Sequence, residues 1–399
     1  MSATATTEKK YLKWYQKLAY GSGDLASNCS YGLVSSFVLL YLTGTLGLDS
    51  AIIGSLMLAS KVLDGISDVI FGTLIDRTHS KLGKARPWML FGQVGVSLCL
   101  FLLFAIPAGS TTIQYIYFFI VYTALNAVFY TANGIAYSSL VALITKNNNE
   151  RVQLGSFRFM FAVVTNIFMG FAVTGMVEKF GSGAAGWRTT ALIFAIVGLV
   201  VNTISCLAVK ELPEEELSDN TSEAAEEGKA VAKEKKHGFA ETAKILIHNK
   251  YYLMILAIYI VYYIMSNLTT GAGVFCATYY WGDGSLLGQF SMMKMFPVII
   301  ALAIAPVLIK KTGSMQKVNF WGYAISSVLG IPMIYFAMQK NLSMFLLFMF
   351  IKGVFAGTLS GSLNALIAEA SGYTTRTTGV HMDLSLIHIS EPTRLGMIS

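Results

Sequence analysis

Runs of about twenty apolar residues recur along most of the chain, and they constrain its fold more than any other feature. Each run is long enough to cross a hydrocarbon core about 30 Å thick. Of the 399 residues, 54% are hydrophobic and only 13% are charged, about half the charged fraction usual in soluble proteins. The ten-residue alternating segments of a transmembrane barrel do not occur. The sequence therefore predicts an all-α polytopic membrane protein.

Hydropathy predicts ten membrane spans. They cover residues 19–43, 50–76, 87–108, 112–143, 151–177, 188–208, 249–280, 285–309, 317–338 and 341–371. The first span follows a polar, basic amino terminus without a cleavage pattern, so we expect it to be retained. Between the sixth and seventh spans, residues 209–248 form an acidic block and then a basic block. We expect a solvated linker there.

Lys and Arg residues are unequally distributed between the two ends of the spans. With the amino terminus inside and the linker left out, fourteen lie on the cytoplasmic side and three, Lys179, Arg188 and Lys340, on the outer side. The positive-inside rule therefore predicts a cytoplasmic amino terminus in the inner (plasma) membrane. The net charge of +7 reflects this topology, so no nucleic-acid partner is predicted.

Histidine and cysteine positions argue against several classes of membrane enzyme. All five histidines lie outside the predicted spans, and the four cysteines lie in apolar segments without CxxC spacing. We therefore expect no haem, no other cofactor, no bound metal beyond a transported cation, and no disulfide framework. A G-x-S-x-G nucleophile motif is also missing. We do not expect an enzyme.

Acidic residues in the second span are the most informative charges. Asp64 and Asp68 are four residues apart, so their carboxylates share one helix face with Lys61. Each carboxylate costs about 2.5–3.5 kcal/mol at a helix centre, and two so close resist ionising together unless a cation lies between them. A bound Na⁺ or one shared proton would relieve this repulsion. The alternative is an internal ion pair of Lys61 with Asp64, with Asp68 facing a polar crevice.

Of the other charged residues in the predicted spans, four bear on function. Asp24, one turn into the first span, is either a functional or an interfacial group. Arg158 in the fifth span cannot lose its charge, and it either binds hydroxyls or a carboxylate of a ligand or pairs with one of the acids. We expect Lys294 in the eighth span to extend toward an interface, whereas the sequence favours no role for Lys352.

The loop after the second span carries a motif. Its sequence, GTLIDRTHSKLGKARPW at 72–88, resembles the loop between helices two and three of the major facilitator superfamily. The G-x-x-x-D-R pattern with a basic run and Pro-Trp is similar to the glycoside/pentoside/hexuronide:cation symporters, a melibiose-permease-like family. YGSGDLASNCSYG in the first span, YTANGIAYSSLV at 130–141, and Glu150-Arg151 through Arg158 agree with it. The resemblance extends over residues from about 18 to 380. The motif residues are Gly72, Asp76, Arg77, Gly83, Lys84, Arg86 and Pro87.

This resemblance implies a fold and a function. The fold would be the major facilitator fold, with ten of its twelve helices present. The function would be symport of a sugar with Na⁺, H⁺ or Li⁺ by alternating access. The implied cation ligands are Asp64, Asp68, Ser67 and Thr131. The implied sugar ligands are Asn28, Tyr130 and Arg158, to which we add Asp24 as a candidate. Asp76 and Arg77 would pair with neighbouring helix ends.

The sequence also departs from the family pattern. Asn28, Gly134 and Ser138 stand where the melibiose permease has two sugar-binding carboxylates and a tryptophan, so we expect another glycoside, a pentoside or a hexuronide instead of an α-galactoside. Two alternatives remain: a lipid or lysophospholipid symporter of the same superfamily, and a non-transporting membrane sensor or scaffold. We expect a monomer whose partners are a small sugar and the lipid bilayer.

The predicted organisation has four parts. Residues 1–208 would form a six-helix bundle, 209–248 the cytoplasmic linker, 249–372 an incomplete bundle of four helices, and 373–399 a tail. The sequence LSLIHISEPTRLGMIS at 384–399 resembles translated sequencing-adapter read-through. We expect residues 384–399 to be non-native and the natural protein to continue past Asp383 into two more helices. A genuine ten-helix protein is the alternative.

Overall fold

The structure, a computed structural model, describes residues 9–213 and 250–358. The chain divides into two compact units. The described part of the first unit is 9–169 and 175–213, and that of the second is 170–174 and 250–358. Most of the predicted linker, the end of the tenth span with Arg376 beyond it, and the tail lie outside the described residues, so the predicted domain boundaries remain predictions.

The first part of the chain, up to residue 213, consists of helices joined by short loops. Two of the helices continue directly into π-helical segments. In chain order the elements are α1 (Trp14–Gly21), α2 (Gly23–Leu40) with a π segment at Tyr41–Thr45, α3 (Ser50–Asp76), α4 (Arg86–Leu103), α5 (Thr111–Thr123) with a π segment at Ala124–Tyr130, α6 (Thr131–Ile144), α7 (Asn148–Lys179) and α8 (Gly183–Ala208).

Residues 250–358 form a second series of helices. They are α9 (Lys250–Phe275) with a π segment at Cys276–Tyr280, α10 (Leu286–Thr312), α11 (Met315–Met338) and α12 (Leu342–Thr358). Gly353 and Gly357 of α12 lie against Pro297 and Ala301 of α10, and a Cβ on Gly357 would lie 2.7 Å from the Cβ of Ala301. This small-residue seam brings the two helices close together, as membrane helices commonly require.

Length and composition make this a multi-pass membrane protein, as predicted. Seven of the described helices or helix pairs are long and apolar enough to cross a membrane. They are Trp14–Thr45, Arg86–Leu103, Thr111–Ile144, Gln153–Lys179, Gly183–Ala208, Leu253–Tyr280 and Met315–Met338. The 27 residues of α3 also suffice, since they extend about 40 Å. Large apolar side chains on outer faces, such as Phe91 at 72% exposure, suit contact with lipid.

Candidate functional site

The carboxylate of Asp64, half-buried in the middle of α3, is the centre of the first polar cluster. Its Oδ1 accepts a hydrogen bond from the hydroxyl of Thr131, the first residue of α6, at 2.7 Å. Its Oδ2 lies 3.4 Å from Nζ of Lys61, one turn earlier on the same helix. Each carboxylate oxygen therefore has a partner of a different kind. The pairing of Lys61 with Asp64, one of the two alternatives left open by the sequence, is present.

Lys61 is held by more than the carboxylate. Its Nζ donates to the hydroxyl of Tyr31 on α2 at 2.8 Å and lies 5.3 Å from the centre of that ring. Tyr31 is buried, and its ring stacks on Tyr130 with 4.5 Å between centroids. The ammonium thus lies between a carboxylate and a phenol.

A π-helical segment positions Thr131. The hydroxyl of Thr131 lies 3.0 Å from the carbonyl oxygen of Asn126, inside that segment, as well as 2.7 Å from Asp64. Asn126 is 1% exposed and donates to the carbonyl of Tyr122, while its Oδ1 is buried without a hydrogen-bond partner in the described residues. Single π turns inside α-helices are frequent at functional sites, because they aim side chains that a regular helix would turn away.

The other two predicted cation ligands lie on α3 beside Asp64. Asp68 is half-buried and makes no hydrogen bond or ion pair within the described ranges. The hydroxyl of Ser67 donates to the backbone carbonyl of Asp64 at 2.7 Å, so its proton points away from any cation and its lone pairs stay available. The structure therefore brings Thr131 to Asp64, whereas Asp68 has neither a hydrogen bond nor an ion pair within the described ranges.

An ion pair between Asp24 of α2 and Arg158 of α7 forms the second cluster. Nε of Arg158 donates to Oδ2 of Asp24 at 2.6 Å, and the side chains are only 20% and 16% exposed. The guanidinium also lies 4.3 Å from the ring centre of Tyr137, whose hydroxyl lies 3.2 Å from the same carboxylate oxygen. Of the two roles left open for Arg158, the pairing with an acid is the one present.

Tyrosines fix the geometry around this pair. The hydroxyl of Tyr137 also lies 2.8 Å from the backbone oxygen of Tyr20, and the hydroxyl of Tyr20 donates to the backbone of Tyr137. At Gly23 a Cβ would lie 2.7 Å from the Tyr137 ring, so only glycine permits this approach. The ion pair therefore lies among packed tyrosines where α1, α2, α6 and α7 meet.

Two asparagines extend the second cluster along α2 and α7. Nδ2 of Asn28 donates to the backbone oxygen of Asp24, and Oδ1 of Asn28 accepts from Asn166 at 3.0 Å. Three of the residues predicted to bind sugar, Asn28, Asp24 and Arg158, thus lie close together. Tyr130 belongs instead to the first cluster, through its stacking on Tyr31.

The loop motif is braced by a residue that sequence reasoning assigned to the linker. The carboxylate of Glu211 accepts backbone N–H groups of Lys84, Ala85 and Arg86 at 2.7–3.0 Å and so caps the amino terminus of α4, where Pro87 lies in the first turn. Gly83, at φ +110°, leaves room for that carboxylate.

The remaining motif residues divide between the two ends of the loop. The buried side chain of Arg86 donates to the carbonyls of Cys206 and Leu82. Asp76 and Arg77 end α3 with exposed side chains, Gly72 lies one turn earlier, and within the described ranges neither charged side chain makes an ion pair. The pairing expected of Asp76 and Arg77 is therefore not found in the described part of the chain, where Glu211 braces the other end of the loop.

A buried glutamate attaches the amino-terminal segment to the start of α7. Glu150 is 2% exposed, and its carboxylate accepts from the backbone N–H groups of Tyr11 and Leu12 and from the Thr145 hydroxyl, with Lys17 Nζ at 3.0 Å. Burial alone would raise the pKa of Glu150, but the hydrogen bonds lower it by more, so the pKa lies below its ordinary value. Glu150 is therefore ionised and structural.

Most of the chain matches the sequence model of a known protein family. The sequence model of the family described as MFS/sugar transport protein matches residues 19–385. An uncharacterized symporter, YnaJ, of Bacillus subtilis is 26% identical over 377 residues, which cover 94% of this chain and 78% of that protein. An isoprimeverose transporter of Lactiplantibacillus pentosus is 26% identical over 309 residues, 76% of this chain and 61% of that protein.

Among solved structures, that of a D-xylose-proton symporter superposes with a TM-score of 0.63 and 13% identity. The match covers 90% of this chain and 83% of that one. At this identity the likeness concerns the fold, and it agrees with the major facilitator fold that the loop motif predicts.

Proposed function

Because the chain belongs to the MFS/sugar transport protein family, we propose that it is a secondary active transporter that carries a sugar or glycoside together with a cation. The single observation that carries this proposal is the Asp64 cluster. Two carboxylates one turn apart are kept in a membrane helix, they share a single lysine, Lys61, and Asp68 makes no ion pair in the described residues. Relatives named as symporters and as a sugar transporter support it.

The cluster has the donor set that a small cation needs. Asp64 and Asp68 supply negative charge, and Thr131 and Ser67 supply neutral oxygens. With Lys61 on the same face, the group has a formal charge of −1, so one monovalent cation or one proton neutralises it. Na⁺, Li⁺ and H⁺ all suit oxygen ligands, and the coupling ion is best identified by measurement.

Coupling follows from reciprocal affinity. If cation binding raises the affinity for sugar, sugar binding must raise the affinity for the cation by the same factor. Alternating access then moves both together when the empty and doubly loaded transporter reorients and the singly loaded one does not. For the sugar we propose a pentoside, another glycoside or a hexuronide, with Asn28 and Tyr130 as hydrogen-bonding and stacking candidates. Asp24 and Arg158 would contact it as a neutral pair.

The proposal also covers the membrane location, the orientation and the oligomeric state of the protein. We propose that the transporter lies in the inner (plasma) membrane with a cytoplasmic amino terminus, as a monomer without catalytic activity. Reporter fusions at residue 9 and in the loop between Lys179 and Gly183 test the orientation. Reading the genomic DNA beyond codon 383 tests the predicted continuation, and the experiments below use the protein encoded by that genomic reading frame.

Uptake into vesicles tests the function. Wild-type protein should accumulate a labelled sugar against its gradient when an inward Na⁺, Li⁺ or H⁺ gradient is imposed. Asp64→Asn and Asp68→Asn should each abolish this accumulation, whereas Glu178→Gln, at the exposed end of α7, should leave it unchanged. Uphill uptake retained by the Asp64→Asn, Asp68→Asn double variant would exclude this pair as the coupling site. A protein that carries no sugar under any gradient would favour the sensor or lipid alternatives.

A further inference from the structure

Lys294 is a charged side chain in the middle of a membrane helix, and the cation and sugar sites above give it no role. It is the ninth residue of α10, about 12 Å from the helix start at 1.5 Å per residue. Its Nζ donates to the hydroxyl of Thr270 at 2.6 Å and lies 3.5 Å from the backbone oxygen of Ser266, both on α9. The ammonium is therefore directed at α9 and not toward an interface, contrary to the expectation from the sequence.

The charge of Lys294 has no counter-ion in the described part of its unit. Asp283 is the one acidic residue in 250–358, and its carboxylate accepts the N–H of Ser285 in the loop before α10. Within the described ranges no ion pair involves Lys294. Hydroxyl and carbonyl oxygens solvate an ammonium without cancelling its charge, and an ionisable group kept in a membrane span usually has a functional partner.

Thr270 holds the ammonium in one orientation. Its own hydroxyl proton is donated to the Ser266 carbonyl at 3.0 Å, which leaves a lone pair to accept from Lys294. An ammonium has three N–H donors. One N–H is donated to Thr270, and a second points at the Ser266 carbonyl 3.5 Å away. A third N–H and the full positive charge of Lys294 therefore remain for a ligand.

Three other positively charged side chains in the described spans lack this combination of a fixed orientation and no counter-ion. Arg158 is neutralised by Asp24, and Lys61 lies beside Asp64. Lys352, in α12, is the second intramembrane lysine of the same unit, but no polar neighbour orients it in the described residues. It therefore serves as a matched comparison for Lys294.

We propose that Lys294, positioned by Thr270, binds a carboxylate of the transported molecule, so that the substrate is a sugar acid or its glycoside and not a neutral sugar. This inference rests on the proposed function and names the substrate class within it. A single ammonium matches the single charge of a carboxylate. A phosphate monoester has a charge of about −1.5 to −2 and is usually bound by several donors, which the structure does not assemble around Lys294.

Matched probes test the proposal. p-Nitrophenyl β-D-glucuronide and p-nitrophenyl β-D-glucoside differ only in a carboxylate at C6, and the corresponding galacturonide and galactoside form a second pair. In cation-driven vesicles we expect wild-type uptake efficiency to favour at least one uronide by about tenfold or more, the usual effect of a hydrogen bond to a charged group. Lys294→Met should lose that preference without losing glycoside uptake, and Lys294→Arg should keep most of it.

Control variants separate Lys294 from general charge effects. Lys311→Met removes a charge from the exposed end of α10 and should leave the preference unchanged, as should Lys352→Met. A wild type that favours the glycosides, a Lys294→Met variant that keeps the uronide preference, or a loss confined to Lys352→Met would each overturn the proposal. Stronger inhibition by glucose 6-phosphate than by glucuronate would overturn the carboxylate assignment.

Two further measurements keep the outcomes distinct. Thermal stabilisation of the purified protein by each probe reports binding even when neither probe is carried, so failure of transport and failure of Lys294 are told apart. An acid elsewhere in the chain is the rival partner, and Glu369 lies in the tenth predicted span, outside the described residues. Recovery of stability in a Lys294→Met, Glu369→Gln double variant, with an unchanged uronide preference, would overturn the proposal in favour of an internal pair.

Discussion

The hydroxyl of Thr131 lies 2.7 Å from Oδ1 of Asp64 and so connects the start of α6 to the carboxylate of α3. The same hydroxyl lies 3.0 Å from the carbonyl of Asn126, and its one proton can be donated to only one of these oxygens at a time. When the proton is donated to Asn126, the lone pairs of Thr131 face Asp64. In the proposed cation site, this reorientation would turn the Thr131 hydroxyl from a hydrogen-bond donor into an oxygen ligand.

Removing this hydroxyl should weaken cation binding. Thr131→Val keeps the shape of the side chain but has no oxygen, whereas Thr131→Ser keeps the oxygen. We expect the cation concentration for half-maximal sugar uptake to rise by about three- to tenfold in Thr131→Val, the usual value of one neutral hydrogen bond, and to change little in Thr131→Ser. Equal behaviour of the two variants would show that Thr131 is not a ligand.

Neutralising one member of the Asp24–Arg158 pair should destabilise the protein. Breaking a buried ion pair leaves one charge uncompensated and costs about 3–5 kcal/mol, and partial exposure of these side chains places the expected loss at the lower end. Asp24→Asn and Arg158→Gln should each lower the unfolding midpoint in detergent, and the double variant should recover part of the loss. Additive losses in the double variant would show that the two charges do not stabilise each other.

The same variants separate a structural role from a sugar-binding role. A double variant that regains stability but not transport would place Asp24 and Arg158 in the sugar site. A double variant that regains both would leave Asn28 and Tyr130 as the remaining predicted sugar ligands. Uptake rate and half-saturation are the quantities to compare, at matched protein content in the vesicles.

Much of this arrangement is predictable from the sequence, and the reasons are physical. Membrane spans are visible because their apolar length must match the bilayer, and Asp64 and Asp68 are conspicuous because charge there is costly. The π segment before Thr131 is not predictable in this way, since one widened turn leaves the apolar pattern unchanged. The pairing of Arg158 with Asp24 joins residues 134 positions apart, so the sequence could name the alternatives without deciding between them.

Glu211, which braces the start of α4, shows the same limit. Glu211 stands at the edge of an acidic linker, and composition alone assigns it to a solvated segment. In the structure it caps α4 through three backbone N–H groups about 125 residues away. Because backbone donors carry no sequence signal, no residue pattern could have announced this contact.

Gly83 should not tolerate a side chain. It adopts φ +110°, and a Cβ would lie 2.3–2.5 Å from the carboxylate atoms of Glu211. Strain of this kind costs about 1–3 kcal/mol, so Gly83→Ala should lower the unfolding midpoint. Gly109→Ala, in a loop with nothing within 4 Å of the added Cβ, is the matched control and should have little effect. A Gly83→Ala protein as stable as the control would show that Glu211 does not dock on this loop.

Attachment of the amino-terminal segment should depend on pH through Glu150. This residue precedes the membrane-spanning part of α7, Gln153–Lys179, and its pKa is lowered in the folded protein because hydrogen bonds from Thr145, Lys17, Leu12 and Tyr11 outweigh the effect of burial. A depressed folded pKa means that the stabilisation is present above the ordinary glutamate value of about 4.3 and is lost as the pH falls through the folded value below it.

Hydrogen exchange of residues 9–17 measures this attachment. We expect protection of these amides to be full near pH 7 and to fall below about pH 4, after correction for the intrinsic pH dependence of exchange. Glu150→Gln should lower protection at pH 7 and remove most of its further pH dependence, because the neutral amide is a weaker acceptor for Lys17 and for the backbone N–H groups of Tyr11 and Leu12. Glu178→Gln, at the opposite end of α7, should behave like the wild type. Protection that is unchanged in Glu150→Gln would mean that packing, and not this carboxylate, holds the segment in place.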